Sequence, residues 1–359
     1  MKLLKKEFLF FFFFLLFILF IIQNPKELLN IDSYINWSTI RALFVLLILT
    51  TAMKLSNFFE FFASYSMRLV NSQRGVALLF VTLSMFLSML LTNDITLFIV
   101  VPITLCLKKI IKQDLSKLVI FEAIAVNAGS LLTPLGNPQN LFIFREWGIG
   151  FLEFVKTMSP VFFITSSTLL LFTWISFSGK KVQKCNTPVP KTDRFLFFST
   201  SLFFILFVFA LEAHFVKVLI PAILIWYAIM KKEVFLKVDY FLILTFILMF
   251  VDFNILSQIP QIKSILSSLN PTPQNIYNIS VVLSQFMSNV PSAVFVSRFS
   301  NDFTAIAYGV NVAGNGFLFA SLANIIALRF LNTSSAYVEF HKYSLPYFFI
   351  TYTAVLFLM

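Results

Sequence analysis

Apolar runs follow one another through this chain with little polar sequence between them. They lie near 8–22, 36–53, 76–91, 95–107, 119–144, 158–178, 195–211, 216–230, 240–256, 276–287, 290–299, 304–328 and 343–358. Runs this apolar need lipid as solvent, and lipid requires every backbone N–H and C=O to be satisfied within the segment, so the runs read as helices. Composition agrees: 59% of residues are hydrophobic and 12% are charged, against about 25% charged in a soluble domain. A soluble domain and a disordered chain are both excluded. Two cysteines, Cys106 and Cys185, exclude a disulfide scaffold, and two histidines, His214 and His341, argue against a histidine metal site. The fold class is an all-α polytopic membrane protein with no cofactor beyond a bound Na⁺.

Charge sets the topology. Lys2, Lys5 and Lys6 precede the first run, and Gln23 to Lys26 supplies no small-residue cleavage site, so this is a retained first helix with a cytoplasmic N-terminus. Lys54, Arg68 and Arg74 precede the 76–107 region; Lys108, Lys109, Lys112 and Lys117 follow it. Basic flanks mark cytoplasmic ends, so the region returns to the side it left. Its arms of 13–16 residues reach roughly 20–24 Å as helix, short of a ~30 Å core, which predicts a re-entrant hairpin. The other basic clusters then fall in register: 180–194, 231–237, and Arg329 with Lys342. Twenty of the 27 Lys and Arg lie on cytoplasmic ends. The expectation is nine crossings, N-terminus in and C-terminus out, and a basic pI explained without nucleic acid.

An internal repeat sharpens this. Asn127 and Asn140 are 13 residues apart, as are Asn311 and Asn324; Arg145 and Arg329 each follow the second asparagine by five. Upstream of each set is an apolar hairpin, 76–107 or 276–299, with Thr92 and Asn93 or Ser288 and Asn289 at its tip. Downstream are spans with an early proline, Pro160 and Pro346. The chain therefore divides into an N-terminal helix and loop (1–35), a first repeat (36–178), a basic linker with two connecting helices (179–239) and a second, inverted repeat (240–359). Inverted repeats with broken helices point to a secondary transporter whose site lies near the midplane.

The broken spans are 119–144 and 304–328. In the first, Pro134, Gly136 and Pro138 cannot continue a regular helix. Carbonyls exposed by unwinding suit a cation, and half-helix N-termini suit an anion. The second has Gly314, Gly316, Ala320 and Asn324 but no proline, which predicts a weaker break. Candidate substrate ligands are Thr92, Asn93, Thr133, Asn140, Ser288, Asn289 and Asn324. Candidate ion ligands are Asn93, Asp94, Gly136, Asn137, Asn289, Ala320 and Asn324, with Na⁺ at Asn93, Asp94 and Gly136. Asp94 is the one acid in a tip, able to bind a cation or carry a proton. Glu122 and Asp252 lie in or beside spans; an interfacial place is favoured for Asp252. No Gly-x-Ser-x-Gly, His-Glu-x-x-His or P-loop lysine motif occurs, so neither an enzyme nor an ATP-driven pump is indicated.

These residues resemble the ion transporter superfamily of citrate/dicarboxylate–sodium symporters, arsenite permeases and sodium–proton antiporters. The resemblance covers nearly the whole chain. Thr92 to Asp94 and Ser288 to Val290 stand where the dicarboxylate branch has Ser-Asn-Thr tips. Gly136 to Asn140 stands where that branch has a Gly-Thr-Pro-Pro-Asn-like turn. Neither tip is Ser-Asn-Thr, and the run from Thr92 to Pro102 is more like the arsenite-permease side and an uncharacterised bacterial inner-membrane permease branch. The resemblance implies a multi-pass inner-membrane carrier of a small anion, a di/tricarboxylate or inorganic oxyanion, coupled to Na⁺ or H⁺. It also implies a scaffold with mobile hairpins, elevator-type alternating access and a homodimer. The alternative is a cation/proton antiporter or an arsenite-type metalloid efflux permease using Asp94.

Overall fold

A computed structural model describes residues 8–58, 61, 70–111, 115–181, 191–212, 215–261, 272–331 and 335–359, though a few side chains in these ranges, Asp94 among them, lie outside the description. The described residues are helical apart from turns and one isolated bridge between Ser72 and Lys181. Apart from two short helical turns at Ile31–Tyr34 and Glu233–Lys237, the described α-helices in chain order are α1 (Phe8–Gln23), α2 (Trp37–Leu55), α3 (Gln73–Leu90), α4 (Asn93–Ile111), α5 (Ser116–Ser130), α6 (Pro138–Glu146), α7 (Phe151–Ser176), α8 (Arg194–Glu212), α9 (Val216–Met230), α10 (Tyr240–Gln258), α11 (Pro273–Met287), α12 (Asn289–Val296), α13 (Phe303–Ala313), α14 (Leu322–Arg329) and α15 (Ser335–Leu356). By length and composition α2, α3, α7 and α10 can each cross a membrane.

Six helix starts carry a capping side chain readable in the chain. Asn36, Ser72, Asn137, Asp239, Thr272 and Asp302 each accept a hydrogen bond from the backbone N–H three residues on. Each side-chain oxygen thereby satisfies a donor that the first turn leaves open. Pro160 and Pro346 lie inside α7 and α15 without ending them.

The two predicted hairpins differ in reach. The second is short-armed as expected, with 15 residues in α11 and eight in α12. The first is longer than its apolar run. At 18 and 19 residues, α3 and α4 extend past it into Gln73 and Arg74 at one end and Ile111 at the other. Each arm is then about 27–29 Å long. The argument from arm length therefore fails for this hairpin. The observation bearing on its depth is the tip, where Thr92 and Asn93 are buried and Asn93 bonds Asn127 in the last turn of α5.

Both predicted breaks are present. The first runs from Leu131 to Asn137 between α5 and α6. The second, expected to be weaker for want of a proline, interrupts the helix as fully. It runs from Gly314 to Ser321, with one turn of 3-10 helix at Leu318–Ala320.

Packing is reciprocal between the halves. α3 lies along α5, and α11 along α13; α4 touches α14, and α12 touches α6; α7 meets α13, and α15 meets α5. α1 packs on α10, while α8 and α9 pack on α2. Basic residues gather at one end. Gln73 and Arg74 donate backbone bonds to Lys180 and Ser178, Asp193 donates to the Ser56 carbonyl, and Lys117 Nζ bonds the Ser176 carbonyl. Lys54, Arg74, Lys117, Lys180, Lys181, Lys191 and Arg194 therefore share that end. At the opposite end Arg145 Nε donates to Ser38 Oγ at 2.8 Å and Trp147 Nε1 to the Asn301 carbonyl at 3.1 Å. The side chains of Lys108, Lys109, Lys112 and Lys184, and His214, lie outside the described residues. Asp252, favoured as interfacial, is instead fully buried in α10, and neither carboxyl oxygen has a hydrogen-bond partner.

Candidate translocation site

Asparagine side chains hold the first break open. Pro138 occupies the first position of α6, where its missing N–H costs nothing. Asn137 caps that helix, accepting the Asn140 N–H at 2.8 Å. Asn140 Nδ2 points back across the unwound stretch to the carbonyls of Ser130, Leu131 and Thr133 at 3.1–3.2 Å. Thr133 Oγ1 accepts the Gly136 N–H at 3.1 Å and donates to the Met89 carbonyl on α3. A Cβ on Gly136 would lie 2.2 Å from the Ser130 carbonyl oxygen and 2.7 Å from that of Ser88, so only glycine fits there.

The second break is held by other side chains. Gln285 on α11 donates to the Ala313 carbonyl at 3.2 Å and accepts the Phe317 N–H at 2.8 Å. Ser344 Oγ donates to the Gly316 carbonyl at 3.0 Å, and His341 Nε2 accepts the Leu318 N–H at 3.2 Å. The helix breaks without proline because α11 and α15 satisfy the freed backbone groups, as membrane-depth irregularity requires.

The two breaks are laced together. Asn127 Nδ2 donates to Asn324 Oδ1 at 3.0 Å, and Asn311 Nδ2 donates to Asn140 Oδ1 at 2.7 Å. Asn324 Nδ2 reaches the Gly314 carbonyl at 2.9 Å, as Asn140 reaches that of Ser130. Ser321 Oγ donates to Asn127 Oδ1 at 3.0 Å, and Asn137 Nδ2 to Asn311 Oδ1 at 3.0 Å. Every donor and acceptor in one set has its counterpart 184 residues on. Each half-helix therefore finds its partner in the other half of the chain.

The first tip joins this lattice through Asn93 Nδ2, which donates to Asn127 Oδ1 at 3.1 Å. Around it, Thr92 Oγ1, Asn93 Oδ1 and Thr96 Oγ1 are buried without hydrogen-bond partners among the described residues. Three unpartnered oxygens within one turn, with no formal charge, fit a hard monovalent cation. At the second tip Ser288 has φ +73° and ψ 159°, a strained backbone for a non-glycine residue. Asn289 is buried, with Nδ2 beside Gly314. Four helices, α4, α6, α12 and α14, begin in this polar layer, so their N-terminal N–H groups and positive dipole ends belong to it. Ala320 is buried at the end of the 3-10 turn.

Every proposed ligand except the Asp94 side chain lies in the tips, in the breaks or, for Asn140 and Asn324, in the first turn of the helix that follows a break. Asn140 and Asn324 are fully buried and bonded to protein groups through both side-chain atoms. Sequence reasoning used Asn127 and Asn311 only as spacing markers, yet they are the hubs. It passed over Ser130, Ser321 and Gln285, which carry no pattern along the chain.

Comparison with known proteins finds similarity to transporters. The profile described as citrate transporter, CitMHS, matches residues 2–321. Inner membrane protein YbiR of Escherichia coli K12 is 37% identical over 314 residues, 87% of this chain and 84% of that protein. Uncharacterized transporter MJ0456 of Methanocaldococcus jannaschii is 37% identical over 314 residues, 87% of this chain and 85% of its own length. Putative transporter arsB of Dictyostelium discoideum is 29% identical over 181 residues, 48% of this chain and 32% of that protein. The chain is a transporter, not an enzyme, and it belongs to the citrate transporter family.

Proposed function

We propose that this protein is a secondary active carrier of a small anion, a di/tricarboxylate or an inorganic oxyanion, driven by Na⁺ or H⁺. Supporting this is the polar layer in which four helix N-termini meet two lattice-linked breaks. Positive dipole ends favour the anion, while the unpartnered oxygens of Thr92, Asn93 and Thr96 favour a cation, with Na⁺ near Asn93, Asp94 and Gly136. Thr92, Asn93, Thr133, Ser288 and Asn289 face the substrate; Asn137, Asn140, Ala320 and Asn324 shape the breaks. The paired contacts 184 residues apart support an inverted repeat, 36–178 with 240–359. The gathered basic end supports nine crossings with the N-terminus in and the C-terminus out. The hairpins and broken helices move as a unit past the scaffold of α2 and α10 in an elevator-type cycle, in a homodimer, in an inner membrane like that of YbiR. A second reading, efflux of a metalloid or cation/proton antiport through Asp94, draws on the likeness to a protein named arsB.

Counterflow in proteoliposomes tests the choice, using citrate, other di- and tricarboxylates, sulfate, arsenite and Na⁺. Anion exchange that is lost in Asn93→Ala and Asn289→Ala supports the proposal. Exchange of arsenite or Na⁺ alone supports the second reading. Fluxes unchanged in both variants refute the tip assignment.

A further inference from the structure

One acid sits in the moving layer with no assigned task. Glu122 lies in the second turn of α5 and is fully buried. Its Oε1 shares a hydrogen bond with the Thr104 hydroxyl of α4, and its Oε2 has no partner. Several ionisable groups on the packed helices are engaged elsewhere. Lys117, on the same helix, bonds the Ser176 carbonyl and lies over the rings of Phe177 and Tyr343. Arg74 of α3 bonds the Phe177 carbonyl and lies over Trp174. On α15, Tyr347 bonds the Thr165 carbonyl, His341 the Leu318 N–H, and Lys342 lies over Tyr343, the helix that also carries Glu339. On α7, Glu153 and Lys156 sit in the first turns, at the end away from Ser176; on α14, Arg329 is the terminal residue. The side chains of Asp94, Cys106, Lys108 and Lys109 on α4 lie outside the described residues. The hydrogen-bond partner of Glu122 among the described residues is the Thr104 hydroxyl.

An ionised carboxylate accepts at up to four lone-pair positions and donates at none. Among the described residues it would be offered one hydroxyl and no salt-bridge partner, in an interior that penalises that deficit heavily. A proton bound to the carboxyl removes the deficit. The same contact has a mechanical consequence. Among the described residues, two side-chain bonds join α4 to α5 directly: Asn93 to Asn127 at the tip, and Thr104 to Glu122 further along. A displacement that swings the α4 arm from α5 to free the tip opens both.

Resting on the carrier reading above, we propose that Glu122 is a proton-binding site of the transport cycle, coupled to tip opening through Thr104. With the tip seated, Glu122 holds its proton. When α4 lifts, the O–H bond breaks, the proton passes to water on the side then open, and the electron pair stays on the carboxylate. Intramembrane acids are costly, so one retained in a moving element is naturally read as an ion relay.

The test uses the full-length protein in lipid, with wild type, Glu122→Gln and Thr104→Val compared. Infrared difference spectra across a pH titration should show a protonated-carboxyl stretch that Glu122→Gln removes and Thr104→Val shifts in frequency. For whichever anion gives counterflow in wild type, the ratio of pH-gradient-driven net uptake to exchange should fall at least tenfold in Glu122→Gln. Spectra in which Glu122→Gln removes no carboxyl component, or an unchanged ratio, overturn the proposal; the buried Asp252 carboxyl supplies a separate component that Glu122→Gln leaves in place. So does equal loss of uptake and exchange in Glu122→Gln, which would mark a structural residue. If wild type exchanges no compound of the panel, the carrier reading fails, and the infrared band alone decides the proton site. Should Glu122→Gln fail to yield monodisperse protein, the Thr104→Val shift decides: its absence overturns the assignment.

Discussion

Asn127→Ala gives the most quantitative test of the lattice. Asn127 makes four side-chain bonds: it accepts from Asn93 Nδ2 and Ser321 Oγ, and donates to the Gly314 carbonyl and Asn324 Oδ1. The Gly314 carbonyl keeps Asn324 Nδ2 as a donor after truncation. Asn93 Nδ2, Asn324 Oδ1 and Ser321 Oγ are left without replacements. Each stranded buried polar group costs about 1–3 kcal/mol, so the loss should be roughly 3–9 kcal/mol. Asn311→Ala should cost less, roughly 1–3 kcal/mol. It strands Asn140 Oδ1, but Asn137 Nδ2 keeps Ser130 Oγ at 3.1 Å. In the Asn127/Asn324 double-mutant cycle the two losses should overlap by about 0.5–3 kcal/mol. Unfolding in detergent micelles, followed by denaturant or heat on purified protein, measures all three. An Asn127→Ala variant as stable as wild type, or an Asn311→Ala variant less stable than Asn127→Ala, would refute the lattice as drawn.

Other outcomes follow from single contacts. Gly136→Ala drives a Cβ into two backbone carbonyls and should cost roughly 3 kcal/mol, seen as lost folded yield by size exclusion; a normal melt would contradict the close approach. Ser288→Gly should be more stable than Ser288→Ala by about 1 kcal/mol, because glycine tolerates positive φ; equal melting points would remove the strain argument. Gly316→Ala should destabilise in the native background, where its Cβ would sit 2.2 Å from Gln285 Oε1, and be close to neutral beside Gln285→Ala; additive losses would contradict that contact. Cysteines placed at Lys54, Arg74 and Lys180 should label from one face of sealed vesicles and a cysteine at Asn301 from the other; mixed labelling would break the topology.

The membrane class, the order of helices and the two interruptions were legible along the chain. Lipid leaves the backbone one economical arrangement, so apolar runs become helices wherever they occur, and Pro134, Gly136 and Pro138 mark a stop that no packing overrides. Capping residues such as Asn137 and Asp302 were equally local. The second break was misjudged because its cause is remote in sequence: Gln285, Ser344 and His341 arrive from α11 and α15 to take up its backbone groups. The reach of the first hairpin was misjudged because helix length is set by caps at Ser72 and neighbours beyond the apolar run.

By itself, then, the sequence determined what must be helix, where regularity ends, and that two stretches 184 residues apart carry matching asparagines. Tertiary structure decided which asparagine faces which. Asn127 pairs with Asn324 and Asn311 with Asn140, each across the halves and not within them. A side-chain amide is a short, directional group whose bond depends on ångström-scale placement, and that placement exists only after the helices have packed. Burial worked the same way for Glu122 and Asp252: a carboxyl's surroundings are the sum of every element around it, and no single segment of chain contains that sum.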